Sequence, residues 1–243
     1  MQEQYNNIGA IYQEFKSQAT LPIAEEFTFF QLLGNLEEKT ILDLACGTGF
    51  YTRFIKQKGA AKVVGVDISE AMLQSARQQE EQQPLGIEYH LGDGLQLEQI
   101  GSFELITAVY LLNYAQNPEQ LVSMFVSVGK NLQEGGRLVA ITTHPDFQMS
   151  QYNPTKYGVT VTKQESIPQG YYCEIDFHTS SPFSIQCFGW NQSVYQEAAK
   201  EAGLKNLALH PIEIPPQAIE KYGVDYWQDF RDNNLIIALS CEK

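Results

Sequence analysis

Residues 40 to 53, TILDLACGTGFYTR, constrain the fold more than any other stretch of this chain. Thr40 to Leu44 is a short apolar run with a single acid in it, as suits a strand buried on both faces of a parallel sheet. Gly47 and Gly49 then let the backbone turn tightly and bring its N–H groups close to a ligand. A helix starting at Thr48 or Gly49 would aim its N-terminal end, which attracts negative charge, at the same place. Asp43 is the odd residue. A carboxylate inside a core strand needs hydrogen bonds from the turn or a cationic ligand.

A second acid sharpens the pattern. Lys62 to Asp67 reads as the next buried strand, ending in a carboxylate 18 residues after Gly49. That spacing places Asp67 at the tip of the neighbouring strand, where it can accept from both ribose hydroxyls of a nucleoside. The dinucleotide fingerprint is incomplete, because Thr52 stands where its third glycine belongs. A third strand, Ile87 to Leu91, runs into Gly92-Asp93-Gly94. On local sequence Asp93 is a turn acid, but its register with Asp43 and Asp67 assigns it to the same site.

The remaining elements alternate. A helix over Phe50–Lys58 ends at Gly59, and Ser69 caps the next, with Met72 turned inward toward core or ligand. Phe103 to Tyr110 is a fourth strand, Pro118 to Leu132 a helix, and Arg137 to Thr142 a fifth strand. Strand–helix alternation over 40–142 implies a doubly wound, mostly parallel α/β sheet with ligands beyond the strand C-termini. Residues 1–36 form a helical cap, and residues 144–190 an inserted antiparallel lid with strands at 157–162, 171–177 and 183–190. A helix over 192–202, a strand over 205–210, a linker from Pro215 and a final strand over 235–241 complete one domain spanning 1–243.

Composition narrows the partners. With 243 residues, 43% hydrophobic and 19% charged, the chain can bury a substantial core. A formal net charge of -13 argues against nucleic acid and anionic membranes, and fits a cationic or neutral small substrate or simple solubility. Cys46, Cys173, Cys187 and Cys241 lack metal-ligand spacing and read as reduced thiols of a cytoplasmic protein. No metal site, signal peptide or membrane span is expected. The chain would act as a monomer or homodimer.

Asp-x-Ala-Cys-Gly-x-Gly followed by a strand-end Asp resembles motifs I and II of class I S-adenosylmethionine-dependent methyltransferases. The resemblance implies a Rossmann-like sheet of seven strands, the last antiparallel. It implies S-adenosyl-L-methionine as cofactor and S-adenosyl-L-homocysteine as product. On it, the cofactor contacts are Tyr5, Asp43, Ala45, Cys46, Gly47, Gly49, Asp67, Ile68, Met72, Gly92, Asp93, Gly94, Val109 and Tyr110, with Asp93 beside the adenine amino group. Further stretches, including Tyr5-Asn6-Asn7-Ile8-Gly9, Asn113-Tyr114-Ala115, Pro145-Asp146-Phe147, Lys156-Tyr157-Gly158-Val159 and Tyr226-Trp227-Gln228-Asp229-Phe230, are similar to toxoflavin-type N-methyltransferases. This implies methylation of nitrogen on a small heterocycle or cationic amine, within secondary metabolite biosynthesis.

Methyl transfer asks mainly for alignment of a lone pair with the sulfonium carbon, so no protein nucleophile is required. Tyr110 and Asn113 fall where relatives place methyl-facing groups. His144 is either the base that takes the released proton or a surface histidine before Pro145. Tyr5, Tyr114, Phe147, Tyr152, Tyr157, Trp190 and Trp227 are acceptor-binding candidates, each equally able to serve as core. Glu174, Asp176 and Asp225 are available for a basic amine, and Tyr12 reads as cap packing. An O-methyltransferase and a non-catalytic cofactor-binding module are the alternative readings.

Overall fold

The protein is described by a computed structural model covering residues 9–243. Two helices, α1 (Gly9–Gln18) and α2 (Leu21–Leu33), precede the first strand and are separated by a break at Ala19-Thr20, with Pro22 in the first turn of α2. The sheet strands are β1 (Thr40–Leu44), β2 (Lys62–Asp67), β3 (Glu88–Leu91), β4 (Phe103–Val109), β5 (Leu132–Thr143), β9 (Lys205–His210) and β10 (Ile236–Glu242). They lie in the order β3-β2-β1-β4-β5-β10-β9. The first five are parallel, and β10 runs antiparallel between β5 and β9. Helices α3 (Phe50–Gln57), α4 (Glu70–Gln82), α5 (Pro118–Asn131) and α6 (Gln192–Glu201) make the connections, followed by short α7 (Pro216–Tyr222) and α8 (Gln228–Asp232). This is the expected doubly wound, seven-stranded fold.

Alternation along the strands divides the core between the two sheet faces. Ile41 and Val63 enter one apolar cluster with Phe29, Leu33 and Ile55, while Leu42, Leu44, Val64 and Val66 enter the other with Leu121 and Phe125. Asp43 shares the face of Ile41 and is 2% exposed.

The segment after β5 forms a separate antiparallel sheet, β6 (Val159–Ile167), β7 (Gly170–Phe177) and β8 (Phe183–Trp190), in that order. Strand β6 continues five residues beyond the expected end at Thr162. A register shift between Val161 and Lys163 carries the polar run Lys163 to Ser166 along the exposed rim, so polarity there marks an edge and not a loop. Helix α5 ends at Asn131 and β5 begins at once at Leu132, earlier than the glycine pair suggests, with its own register shift before Arg137.

Candidate active site

The turn after β1 is built from left-handed backbone. Ala45 (φ 57), Gly47 (φ 55) and Gly49 (φ 84) reverse the chain so that Gly49 opens α3. A Cβ on Gly49 would stand 2.4 Å from the Tyr89 hydroxyl, so the position excludes any side chain on two grounds. The Gly47 N–H donates to Asp67 Oδ2 at 2.8 Å, and the Ser69 N–H to Oδ1 at 2.8 Å. These bonds fix the strand-end carboxylate against the glycine turn. Ser69 also accepts from the Met72 N–H and caps α4.

Asp43 is satisfied by two hydroxyls. Thr52 Oγ1 donates to Oδ2 at 2.6 Å and Thr107 Oγ1 to Oδ1 at 2.7 Å. Thr52 is the residue that breaks the dinucleotide fingerprint, and here it holds the strand acid. Burial raises the Asp43 carboxyl to about 6, against the pull of the two hydroxyl donors. Its folded-state pKa therefore lies above the unfolded value of about 3.9, and the native protein retains a proton the unfolded chain has lost. The stability this group contributes is full below about pH 4 and is lost as pH rises toward about 6. Asp43→Asn, which has no proton to lose, is expected to gain stability relative to the wild type across that window. Urea denaturation of both proteins at about pH 4 and about pH 7 checks this, and a constant difference would contradict it.

Asp67, Asp93 and Gly47 open into one cleft of about 1260 Å³, solvent at its mouth included, which continues beneath the lid sheet. Its sheet end is lined by Ala45, Ile68, Met72, Gly92, Gly94 and Val109. Tyr110, Asn113 and Tyr114, which follow β4, stand between the two halves of the lining in sequence. Asp93 accepts the Leu95 N–H at 2.9 Å while facing the cleft. A smaller cavity of about 350 Å³, solvent at its mouth included, is lined by Asp43, Ala45, Cys46, Gly47 and Val109, with Tyr12, Phe50 and Tyr51 from the helices. Of the fourteen expected cofactor contacts, ten line the cleft, and Asp43 and Cys46 line only the smaller cavity; two remain. Tyr5 lies outside the described residues, and Gly49 acts through the backbone turn.

The expected acceptor residues divide. Tyr114 lines the cleft, but Phe147, Tyr152, Tyr157, Trp190 and Trp227 line neither cavity. The Trp190 indole donates to Ala115 O and the Trp227 indole to Ala218 O. Tyr157 stacks on Trp227 at 5.5 Å, receives the Phe230 N–H and donates to Tyr226 O. Their polar ends are spent on backbone, and the rings bind α8 and the segment before it to the lid. His144 also stands outside both cavities. Its Nδ1 accepts from the Asp146 N–H at 3.0 Å, and burial depresses its pKa. Glu174 and Asp176 are engaged by Tyr172 and Ser184, and Asp225 also lines neither cavity. Among the described residues there is no cluster of His, Cys, Asp or Glu able to hold a metal ion, and no helix long and apolar enough to cross a membrane.

A buried ionic network behind the cleft was not anticipated. Glu25 of α2 is wholly buried and accepts from Lys16 of α1, from the Tyr51 hydroxyl, and from the Tyr110 hydroxyl at 2.6 Å. The Lys16 ammonium lies 4.7 Å from the Tyr51 ring centroid and 5.7 Å from those of Tyr12, Phe50 and Tyr110. Tyr110 itself has φ 61, and its N–H donates to Ile141 O. The sequence carried one signal for this: Glu25 sits on the stripe Leu21–Glu25–Phe29, where an apolar residue would be expected.

Residues 41–136 match a methyltransferase-domain family. The chain is 28% identical over 185 residues to N-demethylindolmycin N-methyltransferase of Streptomyces griseus, covering 72% of this chain and 73% of that protein. It is 33% identical over 149 residues to an uncharacterised Haemophilus influenzae protein, of whose length it spans 57%, against 58% of its own. Among solved structures, a S-adenosylmethionine-dependent methyltransferase from Clostridium acetobutylicum superposes with a TM-score of 0.68 over 98% of both chains at 20% identity. The chain as a whole carries the fold of the S-adenosylmethionine-dependent methyltransferases.

Proposed function

We propose that this protein transfers a methyl group from S-adenosylmethionine to a nitrogen atom of a small molecule. The observation that carries the reading is the convergence of Asp67 and Asp93 on one cleft, with Asp43 at its adjoining cavity and the lid roofing the remainder. The residues present fit the cofactor. Asp67 is a buried acceptor that would receive the ribose hydroxyls, Asp93 faces the cleft and would receive the adenine amino group, and Gly47, with open space where a Cβ would stand, leaves the homocysteine end unobstructed. When bound, the cofactor supplies an electrophilic methyl carbon. The chain's own task is to hold the acceptor in line and keep water out.

Nitrogen is favoured over oxygen by the walls of the cleft. Among the described residues no histidine or lysine lines it. An imine-type ring nitrogen or an unprotonated amine already presents a lone pair, whereas a phenol or a pyrrole-type N–H needs a base to lose its proton. His144, standing outside, does not supply that base. The similarity to N-demethylindolmycin N-methyltransferase supports the same side, and with it a secondary-metabolite acceptor. The reading extends to a single cytoplasmic domain, monomeric or homodimeric, with no nucleic-acid partner. The test is release of S-adenosylhomocysteine from S-adenosylmethionine with panels of imine-type N-heterocycles, amines, phenols and carboxylic acids. Turnover confined to nitrogen acceptors is expected. Turnover confined to hydroxyl or carboxyl acceptors would move the reading to O-methylation, and cofactor binding without any turnover would leave only a binding module.

A further inference from the structure

We infer that the acceptor is an uncharged, flat, largely apolar molecule, and that one N–H or O–H of it is received by the side-chain oxygen of Asn113. This rests on the reading of the cleft as a methyl-transfer site. The lid half of the cleft is walled by Phe15, Val159, Ile175, Phe177, Phe183 and Ile185, none of which offers a hydrogen-bonding side chain, with the Tyr12 ring beside Phe15 and Phe177. Phe177 and Phe183 stack at 4.6 Å with their planes 8° apart, and Phe15 meets Phe177 edge-on at 4.8 Å. This arrangement favours another ring laid against it.

The polar groups around this wall are mostly committed. The Tyr110 hydroxyl donates to Glu25, Thr143 Oγ1 to Phe188 O, and the Cys187 thiol lies 3.1 Å from that of Cys173. The acids of the lid strands are engaged elsewhere, and the carboxylates that do line the cleft, Asp67 and Asp93, stand at the sheet end. An ammonium group entering the lid half would lose its water without gaining a counter-charge, which disfavours it.

Asn113 differs from these groups. It is 1% exposed, lines the cleft, and its Oδ1 receives no hydrogen bond from any described residue. It lies on a short 3-10 turn, Leu112–Tyr114, that packs directly on β8 of the lid, where the Trp190 indole bonds Ala115 O. A buried carbonyl oxygen left unmatched bears its full desolvation penalty, so a ligand that donates to it is selected over an isostere that cannot by about tenfold. The same bond would orient a ring N–H bearer without taking its proton, as an amide is not a base.

The experiment is calorimetric titration of indole, benzofuran and tryptamine into the full-length protein saturated with S-adenosylhomocysteine, after titration of S-adenosylhomocysteine alone. Indole is expected to bind about tenfold more tightly than benzofuran, its near-isostere without the donor, and more tightly than the cationic tryptamine. In Asn113→Leu the preference for indole over benzofuran should vanish while S-adenosylhomocysteine affinity stays within about twofold. The wild-type comparison stands even if that variant does not fold. The inference is overturned if tryptamine binds best, if benzofuran equals indole, if none binds, or if the variant loses S-adenosylhomocysteine affinity as much as indole affinity. If S-adenosylhomocysteine fails to bind the wild type, the methyl-transfer reading falls first.

Discussion

Asp67→Ala is expected to weaken S-adenosylhomocysteine binding by about a hundredfold. The carboxylate stands at the end of β2, 8% exposed, pinned by the N–H groups of Gly47 and Ser69. Hydrogen bonds to a charged acceptor contribute about 1.5–3 kcal/mol each, so two ribose hydroxyls together account for about 3 kcal/mol or more. Burial raises the Asp67 pKa, while the backbone N–H groups of Ser69 and Gly47 hold it down. Asp67→Asn retains one carbonyl oxygen toward the turn and is expected to lose less, about tenfold. Titration calorimetry on both variants, with thermal melts to show that each is folded, checks the pair. Wild-type affinity in Asp67→Ala would mean the nucleoside is held elsewhere.

The second large effect concerns stability. Glu25→Ala strands the Lys16 ammonium in a pocket of aromatic rings and removes the acceptor of two tyrosine hydroxyls, Tyr51 and Tyr110. Both side chains of the ion pair are at most 1% exposed, so water cannot replace the lost partner. Breaking one side of a buried pair costs about 3–5 kcal/mol, which lowers the melting temperature of a chain this size by on the order of 10 °C. Replacing both charges with apolar side chains, Lys16→Met with Glu25→Leu, is expected to recover most of that loss. The recovered protein would still lack the carboxylate that holds the Tyr110 hydroxyl, so its methyl-transfer rate should stay below the wild type. Thermal denaturation followed by circular dichroism decides the first point. A Glu25→Ala variant within about 1 kcal/mol of the wild type would show that Lys16 is hydrated.

The three strand-tip acids were legible because a carboxylate ending or interrupting an apolar run has few structural uses. Their positions follow from strand order alone, since parallel neighbours in register bring successive C-termini to one edge. The lid was legible as alternating segments, but the direction of its aromatic rings was not. Whether Tyr157 and Trp190 face the cleft depends on which backbone carbonyls lie within reach of a phenol or indole, and that is a tertiary fact. Trp227 and Tyr157 are 70 residues apart and stack on each other, so neither could be judged singly. Glu25 shows the converse case. Its misplacement on an apolar helical stripe was visible, yet its meaning required Lys16, Tyr51 and Tyr110 from three other parts of the chain.

A crystal structure of the full-length protein with S-adenosylhomocysteine tests the central claim most directly. The account predicts the ribose at Asp67, the adenine beside Asp93 and the homocysteine end against the turn at Gly47, with open space remaining under the lid. Density for the ligand away from these carboxylates, or a ligand that fills the lid and leaves Asp67 without a contact, would contradict it.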